Sequence, residues 1–192
     1  MKSIKATALA ALAAATLSSC GYNSMTEKQE AVDAQWAQVE NVYQRRADLI
    51  PNLVATVKGY AAHESETLTA VVEARTKATS VTIDASNMTE EQLAEYQKAQ
   101  GELGTALGKL LAIQEAYPDL KANENFRDLS AQLEGTENRI ATERKKFNDA
   151  TREYNTYIKK FPYNLTASIF SFESKPYFKA DEGAEKAPKV EF

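Results

Sequence analysis

Residues that commonly carry out chemistry are scarce in this chain of 192 residues, which contains one His and one Cys. His63-Glu64 begins like the zinc-protease helix motif, but Thr67 occupies the position of the second His ligand. A di-iron helical bundle requires two Glu-x-x-His motifs, and the chain has no second His. The residue pairs that hydrolases use as nucleophile and base are also missing. We therefore expect no bound metal, no cofactor and no catalytic residues, and an unrecognised hydrolase is the least favoured hypothesis.

The single Cys lies where a bacterial lipoprotein is lipidated. Residues 1–19 resemble a secretory signal, in which two lysines are followed by an apolar run over residues 6–17. As a helix this run would be about 18 Å long, too short to cross a hydrocarbon core of roughly 30 Å. It leads into Leu17-Ser18-Ser19-Cys20, the pattern of a lipobox, so we predict cleavage before Cys20 and a lipid anchor on its thiol. The alternative is an ordinary signal peptide followed by an unpaired thiol.

The charge balance argues against nucleic acid as a partner. The chain has 23 basic and 27 acidic residues, a net charge of −4. Residues 1–19 contain two lysines and no acidic residue, so their removal leaves 21 basic against 27 acidic residues, a net charge of −6. Nucleic-acid-binding domains usually carry the opposite charge, and an acidic body adheres poorly to anionic lipid. We therefore expect no nucleic-acid binding and a body that hangs from its lipid anchor.

Three long stretches of the chain have the period of an amphipathic helix. Apolar residues recur at steps of three and four over residues 32–75, 93–114 and 126–161. The third stretch keeps a period of about 3.5 residues, which favours a supercoiled packing surface. Two residue pairs match the capping box that starts a helix, Thr26 with Gln29 and Thr89 with Gln92.

The sequence predicts an all-α fold, an elongated antiparallel bundle of three to four long helices. The first helix is expected to kink or restart at Pro51, whose ring cannot donate a backbone hydrogen bond. Residues 77–87 are expected to form a connecting loop, and the apolar residues 165–172 to cap one end of the bundle. The expected segments are, in chain order, a cleaved lipoprotein signal (1–19), a lipidated N-terminus and tether (20–30), the helical bundle (31–180) and a charged flexible tail (181–192).

A polar cluster around the proline is the candidate interaction surface. It consists of Arg45, Arg46, Asp48 and Asn52. The first hypothesis is that this surface contacts other proteins of the cell envelope. The alternative is that the kink at Pro51 opens a cleft for a small envelope metabolite, which would be bound by Arg46, Glu137 or Arg144.

Charged residues also lie on or beside the apolar seams. The candidates for structural ion pairs between helices are Glu73, Arg75, Glu137 and Arg144. Buried charge in bundles often fixes helix register, and we favour this role over a convergent binding site. Gly101, Gly104 and Gly108 form a stripe on the second helix, where each Gly costs about 1 kcal/mol of helix stability. The stripe predicts close approach, preferably by a neighbouring helix and otherwise by another protein.

The order of several motifs resembles the LemA family of bacterial envelope proteins. The matching stretches are Trp36-Ala-Gln-Val-Glu40, Arg45-Arg-Ala-Asp-Leu-Ile-Pro-Asn-Leu-Val54, Val57-Lys-Gly-Tyr-Ala61, His63-Glu64, Glu73-Ala-Arg75, Tyr117-Pro-Asp-Leu-Lys-Ala-Asn123, Leu133-Glu134, Thr136-Glu-Asn-Arg-Ile-Ala141, Tyr154-Asn155 and Phe161-Pro162. The resemblance implies an elongated all-α bundle held to a membrane near its N-terminus, with no established catalytic activity. The chain departs from the family in one respect, because many members carry an uncleaved N-terminal membrane helix where this chain has a lipobox.

These features favour a membrane-anchored, non-catalytic interaction or scaffold protein of the cell envelope. The expected partners are the membrane, through the lipid on Cys20, and an envelope protein. Self-association is an equal way to complete a bundle with this seam. Gly21 after the Cys, rather than Asp, favours transport to the outer membrane, facing the periplasm. The alternative function is an envelope sensor of a small ligand or of stress.

Overall fold

The computed structural model describes the backbone of residues 2–180 and the side chains of residues 21–180. This part of the chain is all-α, as predicted, and contains no β-strand. Its six α-helices are α1 (Lys2–Tyr60), α2 (Ser65–Ser80), α3 (Glu90–Ala112), α4 (Pro118–Ala122), α5 (Glu124–Lys159) and α6 (Tyr163–Ile169). Single 3₁₀ turns at Ala85–Asn87 and Ile113–Glu115 flank α3, and an extended segment follows α6.

The four longest helices, α1, α2, α3 and α5, form the body of the bundle. α1 packs along α5 and also against α2, and α2 packs along α3. Two ion pairs define the antiparallel direction of α1 and α5. Lys28 on α1 faces Glu153 on α5, whereas Arg46, further along α1, faces Glu137. The short helix α6 packs on both α1 and α5 at the end of the bundle where α5 ends.

The apolar seams of the helices form two clusters of buried side chains. The cluster near α6 is built around Trp36, whose ring contacts those of Tyr96 on α3 and Phe147 on α5. The second cluster lies nearer α4 and includes Leu53, Leu107 and Phe126. The seams predicted from the three- and four-residue steps therefore supply the core.

The helix ends follow the local sequence. Thr89 and Gln92 form the predicted capping box at the start of α3, with bonds of 3.0 and 3.2 Å. The side chain of Asn123 caps α5 by accepting the N–H of Phe126 at 2.9 Å. α5 ends at Lys159. Phe161, which was predicted as the last buried residue of the α5 seam, is consequently 81% exposed.

The segment predicted to be a tether is helical. From residue 21 onward it belongs to α1, and Met25 is fully buried in the cluster that also contains Ala167 of α6. Thr26 therefore lies inside a helix, where its hydroxyl donates to the carbonyl of Tyr22. The capping box predicted for Thr26 and Gln29 does not form, because no helix starts there.

Pro51 does not interrupt α1, which continues to Tyr60. A proline has no N–H, so the carbonyl of Ala47, four residues earlier, loses its helical partner. That carbonyl accepts a hydrogen bond of 2.9 Å from Arg75 Nε on α2 instead. The predicted restart at Pro51 is wrong, and the break lies between α1 and α2, whereas a kink at Pro51 stays a prediction. The predicted loop is shorter than expected, because α2 extends to Ser80.

Candidate functional site

The side of the bundle between α3 and α5 is open over about half of its length. A groove of about 1000 Å³ separates residues 104–114, on α3 and the turn that follows it, from residues 124–138 of α5. Its apolar lining includes Leu107, Leu111, Phe126 and Leu133. Its charged lining consists of Glu124, Arg127, Asp128, Glu134 and Glu137. We call this site the α3–α5 groove; an apolar lining with a few polar groups is typical of binding sites.

The other half of the same side is occupied by the chain itself. Residues 173–180, which we call the strap, lie extended along α5 and are held by two asparagines. Asn155 donates to the carbonyl of Lys175 and accepts from its N–H, at 2.8 and 2.9 Å. Asn148 does the same for Phe178, at 3.0 and 2.9 Å. Seven helical residues and three extended residues both span about 10 Å, so the two asparagines match the spacing of the strap.

The strap leads toward the groove. The carbonyl of Lys179 accepts hydrogen bonds from Gln97 on α3 and from Arg144 on α5, both at 2.9 Å. Gly104, where the groove begins, is seven residues beyond Gln97 on α3, a distance of about 10 Å. The ring of Phe178 is buried under the guanidinium of Arg144, 4.9 Å from its centroid. One half of the α3–α5 side therefore holds extended polypeptide, and the other half is a groove.

Arg46 connects three helices at the inner end of the groove. Its guanidinium donates to Glu137 Oε1 at 2.7 Å, to Gln100 Oε1 at 2.6 Å and to the Gln100 carbonyl at 3.1 Å. The prediction that Arg46 lies on an exposed surface is wrong, because its side chain is only 3% exposed. It follows the buried Tyr43 by three residues and precedes the buried Ile50 by four, so it faces the interior.

The other three residues of the predicted interaction surface, Arg45, Asp48 and Asn52, are exposed on α1. Asp48 accepts a hydrogen bond of 2.7 Å from Gln44. Steps of three and four residues place the three side chains on one face of the helix. The structure therefore separates this face from Arg46, which was predicted to belong to it.

The residues predicted to form ion pairs have four different environments. Glu137 pairs with Arg46, and its side chain is 49% exposed. Arg75 bonds to the carbonyl left free by Pro51, and Arg144 bonds to the strap. Glu73 is exposed on α2.

The glycine stripe of α3 does not receive a neighbouring helix. No atom lies within 4 Å of the position where a Cβ would stand on Gly101 or Gly108, and at Gly104 the nearest is Nη1 of Arg46, at 3.9 Å. The predicted close helix packing is therefore wrong. Gly104 and Gly108 line the α3–α5 groove instead, where their lack of side chains widens it.

The titratable side chains of the groove lining are four carboxylates and one arginine. Within residues 21–180, no three His, Cys, Asp or Glu side chains are placed to hold a metal ion. Burial raises the pKa of Tyr96, one helical turn before Gln100 on α3, and nearby Tyr43 and Glu40 raise it further. This phenol is therefore neutral at physiological pH and is unsuited to act as a base.

The membrane-anchoring prediction involves Cys20, whose side chain lies outside the described residues. The next residue, Gly21, packs against α6, and a Cβ at this position would stand 3.1 Å from Cδ1 of Tyr163. Residue 20 is thus attached directly to the α6 end of the bundle. Among the helical residues that the structure describes, none belongs to a stretch long and apolar enough to cross a bilayer.

The asparagines that hold the strap were not predicted from the sequence. Asn148 and Asn155 each follow a buried aromatic residue of the α5 seam, Phe147 and Tyr154. Two asparagines seven residues apart beside a buried seam are a signal that could have been noticed. Gln100 falls on the predicted seam of α3, but its role as the buried acceptor for Arg46 was not predicted.

The chain is similar in sequence to one protein family and to several named bacterial proteins. A sequence model described as the LemA family matches residues 35–192. Magnetosome protein MamQ 2 of Paramagnetospirillum magneticum is 29% identical over 176 residues, which cover 82% of this chain and 64% of that protein. Magnetosome protein MamQ of Magnetospirillum gryphiswaldense is 28% identical with the same coverage. Protein LemA of Metamycoplasma hominis is 22% identical over 160 residues, 83% of this chain and 69% of that protein. The chain thus spans less than two thirds of the length of these MamQ relatives.

Proposed function

Because this chain belongs to the LemA family, we propose that it is a non-catalytic interaction protein of the bacterial envelope. A lipid on Cys20 anchors it to a membrane, with the outer membrane favoured by the residue that follows the Cys. The bundle then presents the α3–α5 groove to a second envelope protein. Its role is to hold that partner at the membrane, as a scaffold does.

The observation that carries this proposal is the position of the groove beside the strap. The strap is an extended chain held between α3 and α5 by side chains of both helices. The groove continues the same side of the bundle with the same two walls. An extended segment of another protein can bind there as the strap does, with its backbone on polar side chains and its apolar residues toward the core.

The charges of the groove define the segment that fits it. Four carboxylates line it, on Glu124, Asp128, Glu134 and Glu137, against the single cation of Arg127. Glu137 is already paired with Arg46. A segment in which apolar residues alternate with Lys or Arg would bury its apolar side chains near Leu107 and place its cations at the acidic rim. We therefore propose a basic and apolar extended segment as the occupant.

The proposal is tested by crosslinking in cells. A photo-crosslinking amino acid is placed at Ala131, an exposed residue of α5 that lines the groove, or at Ala141, an exposed residue of α5 outside its lining. We expect a crosslinked partner from position 131 that position 141 does not give, and its loss when Cys20→Ala releases the chain from the membrane. A crosslink from 131 to residues 181–192 of the same chain, or to a second copy, would contradict a separate partner.

Filling the groove provides a matched test on α3. Gly108→Leu places a side chain in the groove, whereas Gly101→Leu adds the same side chain outside its lining, and neither Cβ meets an atom within 4 Å. Both changes should raise helix stability by about 1 kcal/mol, because each removes a helical glycine. We expect only Gly108→Leu to abolish the crosslink from position 131. Equal crosslinking in both variants would rule the groove out as the site.

A small-ligand sensor is the second candidate function, because the groove has the volume of a large ligand site. Of the three residues predicted to bind a ligand, Glu137 lines the groove, and Arg46 bonds to Glu137 without being part of the lining. Arg144 and Pro51 are absent from its lining. A ligand present well above its dissociation constant should raise the melting temperature by several degrees, about 2 to 4 °C per kcal/mol of binding. A metabolite panel without any such shift would contradict this function.

The exposed face formed by Arg45, Asp48 and Asn52 is a further proposed contact surface of the scaffold. Charge reversal of Arg45 should weaken partner capture and leave the melting temperature unchanged. Unchanged capture would remove this face from the proposal without affecting the groove.

A further inference from the structure

The α6 end of the bundle carries a patch of exposed large apolar side chains. They are Phe161 (81% exposed), Ile169 (75%), Leu165 (57%), Phe170 (54%) and Tyr22 (40%). Tyr22 packs edge-on against Phe170, with ring centroids 4.9 Å apart, so the patch is continuous from α1 to α6. We call these five residues the α6 patch. Apolar residues gathered on one surface usually mark a contact with a membrane or another protein.

The patch lies beside Gly21, the first residue whose side-chain environment the structure describes. Gly21 packs against Tyr163 of α6, and the adjacent residue, Cys20, is the predicted site of the lipid. An acyl chain attached there would emerge beside the exposed apolar residues. Lys159 and Lys160 directly precede Phe161 and are exposed. Such lysines can direct their amines to lipid phosphates while their methylene groups stay on apolar surface.

We propose that the α6 patch lies in the interface of the bilayer to which the chain is anchored, so that the protein rests on its membrane end-on. The proposal rests on the proposed anchoring at Cys20. A second copy is a poorer occupant, because the patch lies at an end of the bundle. Two copies anchored in one bilayer would both turn this end toward the lipid. Aromatic and aliphatic side chains beside an anchor are typical of interfacial contacts.

Contact with lipid can be measured from a label on the patch. The chain has one Cys, so lipidation of Cys20 leaves an introduced Cys as the only free thiol. Ile169→Cys and Leu165→Cys place an environment-sensitive fluorophore on the patch. Val72→Cys on α2, 47% exposed and far along the bundle, is the control. The full-length lipoprotein is reconstituted into vesicles of phosphatidylethanolamine and phosphatidylglycerol with or without brominated acyl chains.

We expect brominated lipid to reduce the fluorescence at positions 169 and 165 by about half and to leave position 72 unchanged, because interfacial groups penetrate to the acyl boundary. Equal quenching at all three positions, or none at 169 and 165, would overturn the proposal. A blue-shifted label at 169 that depends on protein density and is insensitive to bromine would assign the patch to a second copy. Unchanged melting temperatures would show that the variants fold.

The full-length protein without an introduced Cys, which we call the parent, tests the lipidation of Cys20 separately from the contact between the α6 patch and lipid. With Cys20 acylated, the parent takes up no label. Labelling of the parent would contradict the anchor, and the three labelled variants would then be compared in a Cys20→Ser background. Quenching confined to positions 169 and 165 in that background would still support the contact between the patch and lipid, and its absence would overturn it.

Discussion

Arg46 shows how one charged side chain can hold three helices in register. It is buried on α1 and bonds to Gln100 on α3 and Glu137 on α5, beside a groove where those two helices are apart. The planar guanidinium holds its N–H donors in a fixed geometry, so one side chain bonds to both helices in defined directions. We infer that this contact sets the width of the inner end of the groove.

Replacing Arg46 with Met should lower the free energy of unfolding by about 2 kcal/mol, because Gln100 loses its buried partner. This loss of stability is smaller than is usual for breaking a buried ion pair, since the carboxylate of Glu137 is half-exposed and can be solvated by water. Urea unfolding measures the difference. Arg45→Met, at the exposed neighbouring position, is the control and should change stability by less than about 0.5 kcal/mol. Equal effects at the two positions would contradict the structural role of Arg46.

Pro51 and Arg75 act on the same backbone carbonyl, that of Ala47. The proline removes the donor for the carbonyl of Ala47, and Arg75 replaces it from another helix. Arg75→Met should therefore cost about 1 to 2 kcal/mol, because Ala47 is buried and its carbonyl would be left without a partner. In a Pro51→Ala background residue 51 regains its N–H, and the same change should cost about 1 kcal/mol less. A double-mutant cycle by urea unfolding measures this difference, and additive effects would contradict it.

At the scale of elements, the strap is attached by side-chain hydrogen bonds to its backbone. Asn155→Ala leaves the N–H and the carbonyl of Lys175 without their partner. We expect a local loss of about 2 kcal/mol, which is roughly 30-fold faster amide exchange in residues 173–180. Hydrogen exchange with mass spectrometry measures it, and Asn164→Ala, exposed on α6, is the control. Unchanged exchange in the strap would show that its bonds to Asn148, Gln97 and Arg144 and the burial of Phe178 hold it without Asn155.

The helices differ in how far their sequence determines them. The capping box at Thr89 and the seam of α5 follow from local spacing, and both were predictable. The break after Tyr60 was not, because residues 61–64 contain neither Pro nor Gly. Where α1 continues through Pro51, the free carbonyl of Ala47 is bonded by Arg75, which is distant in sequence, and no local rule contains that contact. The strap escaped prediction because its partners are side chains of α3 and α5 and its own residues show no periodicity.

At the scale of the whole molecule, the candidate site is a space between α3 and α5, of which α3 packs along α2 and α5 packs along α1. Periodicity predicts which faces of α3 and α5 turn inward, but the distance between the two helices is a property of the assembled bundle. The glycine stripe has a structural role, since Gly104 and Gly108 lack side chains where the groove lies. Their partner was assigned wrongly because the same small residues fit close packing and an open groove equally well.

The length of helix α1 also determines how far the groove lies from the α6 end of the bundle. Residues 21–60 would extend about 60 Å as one helix, and Arg46 stands roughly 40 Å from Gly21 along it. If the α6 end rests on a bilayer, as we propose, the groove begins about 40 Å above the membrane surface. A partner anchored in the same membrane would need at least about 12 fully extended residues, or a domain of similar length, to span the distance between the bilayer and the groove. A membrane protein whose binding segment lies closer to the bilayer than this distance could not reach the groove, whatever its sequence.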